Sequence, residues 1–209
     1  MFFREEYKQL DVKGKSVIDI GANIGDTPIY FALNGAERVI ALEPYPFSYK
    51  LARESIEANG LSNTIILLNS AYGMGSYIQL KDEQSADRTR DIHLDEEASN
   101  NAVIIDRKSL KDLINTYRLE STVLKVDCEG CEYNLLEEDD RVFEKIEAVQ
   151  IEYHYGYESL VDKLRRLGFE LTHTENQKWH NKNAADPEMQ NWVYICKEEK
   201  IGRNVAFAG

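Results

Sequence analysis

The sequence predicts one α/β domain built on a mostly parallel sheet, with helices on both faces and an antiparallel edge strand. Three observations lead there. Five short apolar runs alternate with segments of helical spacing. The first run opens into a glycine turn, VIDIGANIG, and the last two runs have no clearly amphipathic helix between them. Strands are expected near 16–20, 38–42, 64–69, 122–127 and 148–153, followed by 169–173 and 191–197 as an antiparallel pair at one edge. The first helix should begin at Asp26 or Thr27, either of which can cap. Pro28 then falls in the first turn, where its missing N–H is harmless, and Asn34-Gly35 ends the helix. The second helix runs from about Phe47 to Asn59-Gly60. Ser109 caps the third, in which Leu110, Leu113, Ile114 and Tyr117 recur at helical spacing, and the fourth covers 159–167 before Gly168. The whole of 1–209 reads as a single domain, with 1–15 an N-terminal arm. The polar segment 81–101 is too long for a simple turn, which makes it a candidate lid.

The layout of the first two strands is that of a nucleotide-type cofactor site: an apolar strand with Asp19, a glycine turn, a helix start, then a second strand ending in Glu43-Pro44. Charge indicates the cofactor. A dinucleotide fingerprint wants glycine at three positions that here read Gly21, Asn23 and Asp26, and a carboxylate at the third would lie against the phosphates. S-adenosyl-L-methionine (SAM) has no phosphate and carries a sulfonium and an ammonium, so an acidic turn suits it. Gly21 and Gly25 would let the main chain come close to the cofactor, with Ala22 between them. Asn23 stands where a glycine is usual, and asparagine visits positive φ at low cost. Glu43 can accept both ribose hydroxyls in a fork, and Pro44 stops the strand. The third strand ends in LNSAYG, whose Ser70 and Ala71 are expected beside the adenine.

The segments VIDIGANIGD, VIALEPYP, LKVDCEGCEYNLL and IEYHYG, in this order, resemble the FkbM family of SAM-dependent methyltransferases. The resemblance runs from about Val17 to Tyr155. It implies a Rossmann-like class I methyltransferase sheet and, as the usual activity, O-methylation of sugar or natural-product hydroxyls. Cys128 and Cys131 depart from the family's pattern, which has aliphatic or small residues there.

Apolar residues make up 43% and charged residues 30%, as in soluble globular proteins. No run approaches a membrane span and the N-terminus lacks the pattern of a secretory signal, so a cytoplasmic protein without membrane contact is expected. The net charge of -12 repels a phosphate backbone, and on that ground nucleic acid is not expected as a partner. Three cysteines argue against a disulfide framework, and the CxxC pair is read as two small buried fillers.

Transfer of a methyl group to a hydroxyl needs in-line positioning and a proton acceptor. Asp127, Glu129 and Glu132 cluster after the fourth parallel strand, and Glu152 and His154 close the fifth. Asp127 is expected to orient the cofactor's ammonium, Glu129 to serve as base, and Glu132 to cap the next helix. His154 could take the acceptor's proton, oriented by Glu152. The same groups have no fixed ligand spacing, so no metal is expected. Tyr153, Tyr155, Tyr157, Trp179 and Trp192 form an aromatic neighbourhood, which suggests a small-molecule acceptor of carbohydrate type. Two other readings stay open here: a nicotinamide-dependent oxidoreductase on a similar sheet, and a SAM-binding protein without turnover.

Overall fold

The computed structural model describes residues 7–81, 102–154, 156–178 and 189–197. Ten strands and four helices follow in chain order: Ser16–Ile20 (β1), Asp26–Leu33 (α1), Arg38–Leu42 (β2), Pro46–Ala58 (α2), Ile65–Leu68 (β3), Ala71–Tyr72 (β4), Tyr77–Lys81 (β5), Ala102–Lys108 (β6), Leu110–Tyr117 (α3), Thr122–Val126 (β7), Ile146–Tyr153 (β8), Glu158–Arg166 (α4), Phe169–Lys178 (β9) and Met189–Lys197 (β10). The main sheet has the order β3-β2-β1-β7-β8-β10-β9. Its first five strands are parallel, and β10 runs antiparallel between β8 and β9. Residues 82–101 of the polar lid candidate, the Tyr155, Trp179 and Trp192 side chains and the N-terminal residues 1–6 lie outside what the structure describes.

Strand parity sorts the core into two layers. Ile18, Ile20, Leu124, Val126, Val149 and Ile151 pack on one face with α3 and α4 through Leu110, Leu113, Leu160 and Leu164. Val17, Val39, Ala41 and Val123 pack on the other with Ile29, Phe31 and Ile56 from α1 and α2. The N-terminal arm joins that second layer: Leu10 and Val12 are buried in it, and Tyr7 stacks edge-on against Phe31 with ring centroids 5.5 Å apart.

Three features depart from expectation. A small sheet, β4-β6-β5, is built from segments in which no strand was expected. Two 3₁₀ turns, Cys131–Leu136 and Asp140–Lys145, stand between β7 and β8 where Glu132 was expected to cap a helix. No side chain caps α1: Gly25, at φ 90°, precedes it, because the Thr27 hydroxyl is taken by Asp19. The Ser109 cap is present in full, its hydroxyl accepting from the Asp112 N–H while the Asp112 carboxylate accepts from the Ser109 N–H. Among the described residues no helix is long and apolar enough to cross a membrane.

Candidate functional site

The strand tips of β1, β2 and β7 meet at the glycine turn. Gly21 and Ala22 donate their N–H groups to the Leu42 carbonyl at 3.0 and 2.9 Å, and the Asp127 N–H donates to the Ile20 carbonyl at 3.0 Å. The turn is thereby stitched to both neighbouring strands. Gly21 has φ 82°, and a Cβ there would run into the Asp127 carbonyl, whose carbon would lie 2.8 Å away. Asn23 adopts φ 46°, the left-handed conformation its residue type tolerates. Gly25 packs against Ala52, whose Cα would be 3.0 Å from an added Cβ.

Glu43 faces this turn and is only 4% exposed. One carboxylate oxygen accepts the Asn23 N–H at 2.8 Å and the other the Tyr45 N–H at 2.9 Å. Each oxygen keeps a second lone pair, so the carboxylate can still accept two hydroxyls. Burial pushes the Glu43 carboxyl up to about 7, against the pull of those two N–H groups. The Asn69 side chain is used by the main chain, donating to the Glu43 and Pro44 carbonyls at 2.9 and 3.0 Å and tying the ends of β2 and β3 together. Ser70 and Ala71 follow it and are buried.

A lysine that sequence reasoning passed over holds the centre. In the parallel register Asp19 of β1 stands beside Lys125 of β7 on the same sheet face, and both side chains are 0% exposed. Lys125 Nζ lies 3.0 Å from Asp19 Oδ1 and 3.7 Å from Asp127 Oδ2, and it donates to the Gly21 carbonyl at 2.7 Å. The Thr27 hydroxyl donates to the other Asp19 oxygen at 2.5 Å. Burial works against the Lys125 charge, but the Asp19 and Asp127 carboxylates outweigh it and hold the ammonium above its ordinary range. Asp19 and Ala22 carry no exposed surface, so neither presents its side chain at the turn's surface. The available signal was a lysine flanked by apolar residues in LKVD, at matching parity to the acid of VIDI.

The second cluster sits where β7 and β8 end. His154 lies between two carboxylates, with Nε2 2.9 Å from Glu129 and Nδ1 3.0 Å from Glu132. Hydrogen bonds to those two carboxylates push its pKa up to about 10, so at neutral pH the ring is an imidazolium. The expectation that Glu152 orients His154 is corrected: Glu132 and Glu129 do so. Glu152 instead hydrogen-bonds to Asp127, its neighbour one step beyond the paired Val126 and Ile151. At 3% exposure, burial, followed by the charge of Asp127, holds the Glu152 carboxyl well above the usual carboxylate range. Among the described residues its buried Oε1 atom has no hydrogen-bond partner.

Glu132 is a buried clamp, accepting the N–H groups of Gly130 at 2.8 Å and His154 at 3.1 Å; the expectation that it caps a helix is corrected, since it lies inside the first turn of a 3₁₀ segment whose cap position is Gly130. The reading of Cys128 and Cys131 as separate fillers is also corrected, because they form a disulfide with Cα atoms 5.5 Å apart. The intervening Glu129 and Gly130, at φ 55° and 113°, turn the chain back and bring the sulfurs together. Tyr153 is buried in the core and packs on Tyr157 with ring centroids 5.0 Å apart, so it is not displayed for stacking on a sugar. Among the described residues no group of three or more His, Cys, Asp or Glu side chains is placed to hold a metal ion.

The Methyltransferase FkbM domain family matches residues 19–171, the span that holds both clusters. The chain belongs to the FkbM methyltransferase family. The cofactor of this family is SAM, and the site fits it: a glycine turn of bare backbone with the Glu43 carboxylate at the tip of β2. Other likenesses are more distant. A ribosomal protein L11 methyltransferase of Carboxydothermus hydrogenoformans is 40% identical over 57 residues, 27% of this chain and 19% of that protein. The FkbM chain thus matches only about a fifth of that relative's length. Uncharacterized protein 158B of Sulfolobus islandicus rod-shaped virus 1 is 24% identical over 79% of this chain and 77% of its own. A Streptococcus pneumoniae protein provisionally described as a tRNA (m1A22) methyltransferase, solved with SAM, superposes with a TM-score of 0.56. It is 15% identical, with 93% of this chain and 72% of that chain covered. These findings overturn the exclusion of nucleic acid drawn from net charge, since proteins of this fold are described as acting on tRNA. Net charge sums the whole surface and does not report on one site.

Proposed function

We propose that this FkbM-family protein transfers the methyl group of SAM to a hydroxyl of a small molecule, with Glu129 receiving the hydroxyl proton. The observation that carries the reading is the Glu129–His154–Glu132 array, 2.9 and 3.0 Å across, at the end of the strand that adjoins the glycine turn. The cofactor, held by Glu43 and the turn, supplies an electrophilic methyl group. A hydroxyl that attacks it loses its proton as the new bond forms, so a carboxylate must stand beside the oxygen. His154 donates both ring N–H groups and has no lone pair to offer, whereas Glu129 can accept. His154 is therefore a positioning residue, and Glu152, whose carboxyl burial and the Asp127 charge hold toward its protonated form, is paired with Asp127 and is not the base. Asp127, oriented by Lys125 and Glu152, is left to meet the cofactor's ammonium.

The test is a panel of hydroxyl-bearing small molecules, sugars, tRNA and ribosomal protein incubated with methyl-labelled SAM. Label is expected in a small hydroxyl compound. Glu129→Gln should lower turnover about 100- to 10,000-fold with S-adenosylhomocysteine affinity near normal. Label found only in tRNA or protein would replace this reading. The tRNA arm tests a second reading, favoured by the likeness to the S. pneumoniae structure.

Cofactor binding makes its own prediction. Glu43→Ala should weaken S-adenosylhomocysteine binding by about 1.5–3 kcal/mol, the scale of hydrogen bonds to a charged group. Because ribose hydroxyls donate to the ionised carboxylate, affinity should rise with pH through about 7 and then level off. Below that pH, calorimetry in buffers of different ionisation enthalpy should detect proton release on binding. A flat profile from pH 6 to 8 would remove Glu43 from the ribose site.

A further inference from the structure

We propose that Cys128–Cys131 is a reversible thiol–disulfide site, through which a dithiol reductant controls the placement of Glu129. Four observations converge on it. The disulfide spans the loop that carries Glu129, joining the end of β7 to the first 3₁₀ turn with Cα atoms 5.5 Å apart. Inside that loop Glu129 holds φ 55°, a conformation that residues with a Cβ rarely adopt unless something imposes it. From there its carboxylate reaches His154 on the neighbouring strand at 2.9 Å. Both cysteines are only half-buried, so a reductant can approach them.

The remaining contacts confine the effect to Glu129. Glu132 stays anchored whichever way the sulfurs stand, because it accepts from the Gly130 and His154 main chain and from the His154 ring. Reduction thus releases the constraint on one arm of the array and leaves the other in place. In the exchange, a thiolate of the reductant attacks one cysteine sulfur and breaks the S–S bond. Its second thiol then displaces the mixed disulfide, so the reductant leaves as a disulfide while two electrons and two protons end on Cys128 and Cys131. Glu129 and Glu132 flank the resulting dithiol and oppose thiolate formation, which makes it a poor nucleophile toward other proteins. The pair is therefore set by the ambient dithiol–disulfide balance and does not serve as an oxidoreductase centre. The oxidised form is the one that holds Glu129 in place for proton transfer; this last consequence rests on the proposed function, whereas the exchange itself does not.

The experiment uses the full chain with ¹³C-labelled histidine, equilibrated with either oxidised or reduced dithiothreitol. Denaturing alkylation followed by intact mass should label one of the three cysteines in the oxidised protein and all three after reduction. In parallel, the ring resonance of His154, assigned by its loss in His154→Gln, is titrated in both states. Its groups of contact are Glu129, Glu132 and, through charge, Glu152. Losing one carboxylate should lower the midpoint by about one pH unit or more on reduction. The Cys128→Ser/Cys131→Ser protein should show the lower midpoint with or without reductant. An unchanged label count, or one midpoint shared by both states, would overturn the proposal; comparing the two states of the unaltered chain keeps this so even if the serine variant does not fold. A failure to bind S-adenosylhomocysteine would strike the proposed function while leaving both readouts intact.

Discussion

Lys125→Met is expected to lower the free energy of unfolding by about 3–5 kcal/mol, measured by urea denaturation at pH 7. The lysine and its partner Asp19 are both 0% exposed, and no water can replace the ammonium. Methionine fills a similar volume, so the loss comes from charge and hydrogen bonding and not from a cavity. Asp19 would keep only the Thr27 hydroxyl and would be driven further toward its protonated form, a direction in which burial already pushes it. The Gly21 carbonyl would lose a donor at 2.7 Å. Asp19→Asn added to Lys125→Met should recover most of the stability, since a neutral pair leaves no uncompensated charge. A single-variant loss below about 1 kcal/mol would show that the ion pair is not what neutralises this part of the sheet.

Gly21→Ala should abolish measurable S-adenosylhomocysteine binding, a drop of at least about 100-fold, and destabilise the fold by more than about 3 kcal/mol. Two penalties add. A left-handed φ of 82° is costly for any residue with a Cβ, and that Cβ would meet the Asp127 main chain, which cannot swing aside as a side chain could. Moving β7 away from β1 to make room would also break the Ile20–Asp127 hydrogen bond and lengthen the Lys125 contacts. Gly60→Ala is the control. It has φ 69° with no atom within 4 Å of an added Cβ, so only the conformational penalty of about 1 kcal/mol applies and cofactor affinity should not change. Wild-type binding by Gly21→Ala would mean that the turn is not the cofactor's cradle.

The two clusters differ in how far they could be read from residue order. Gly21, Asn23, Gly25 and Glu43 were legible because each acts through its own backbone conformation or its place at a strand tip, properties set within a few residues. The β7–β8 cluster was legible only as a collection of acids and a histidine. Its pairing depends on register between strands: Glu152 falls beside Asp127, and His154 reaches Glu129 and Glu132 across from another strand. Strand parity alone suggested a Glu152–His154 pair, but Glu132, hidden in a 3₁₀ turn that no periodicity announced, took that place.

The order of residues by itself determined the parallel sheet, its helices, the glycine turn and the family, because apolar period, turn chemistry and short motifs are local. Tertiary structure alone decided which charges cancel. Lys125 meets Asp19 and His154 becomes a cation only after segments up to about a hundred residues apart come together, whereas Cys128 closes on Cys131 through the backbone turn at Glu129 and Gly130. Where those segments meet, the loss of water makes each ionisable group depend on its neighbours more than on its own residue type.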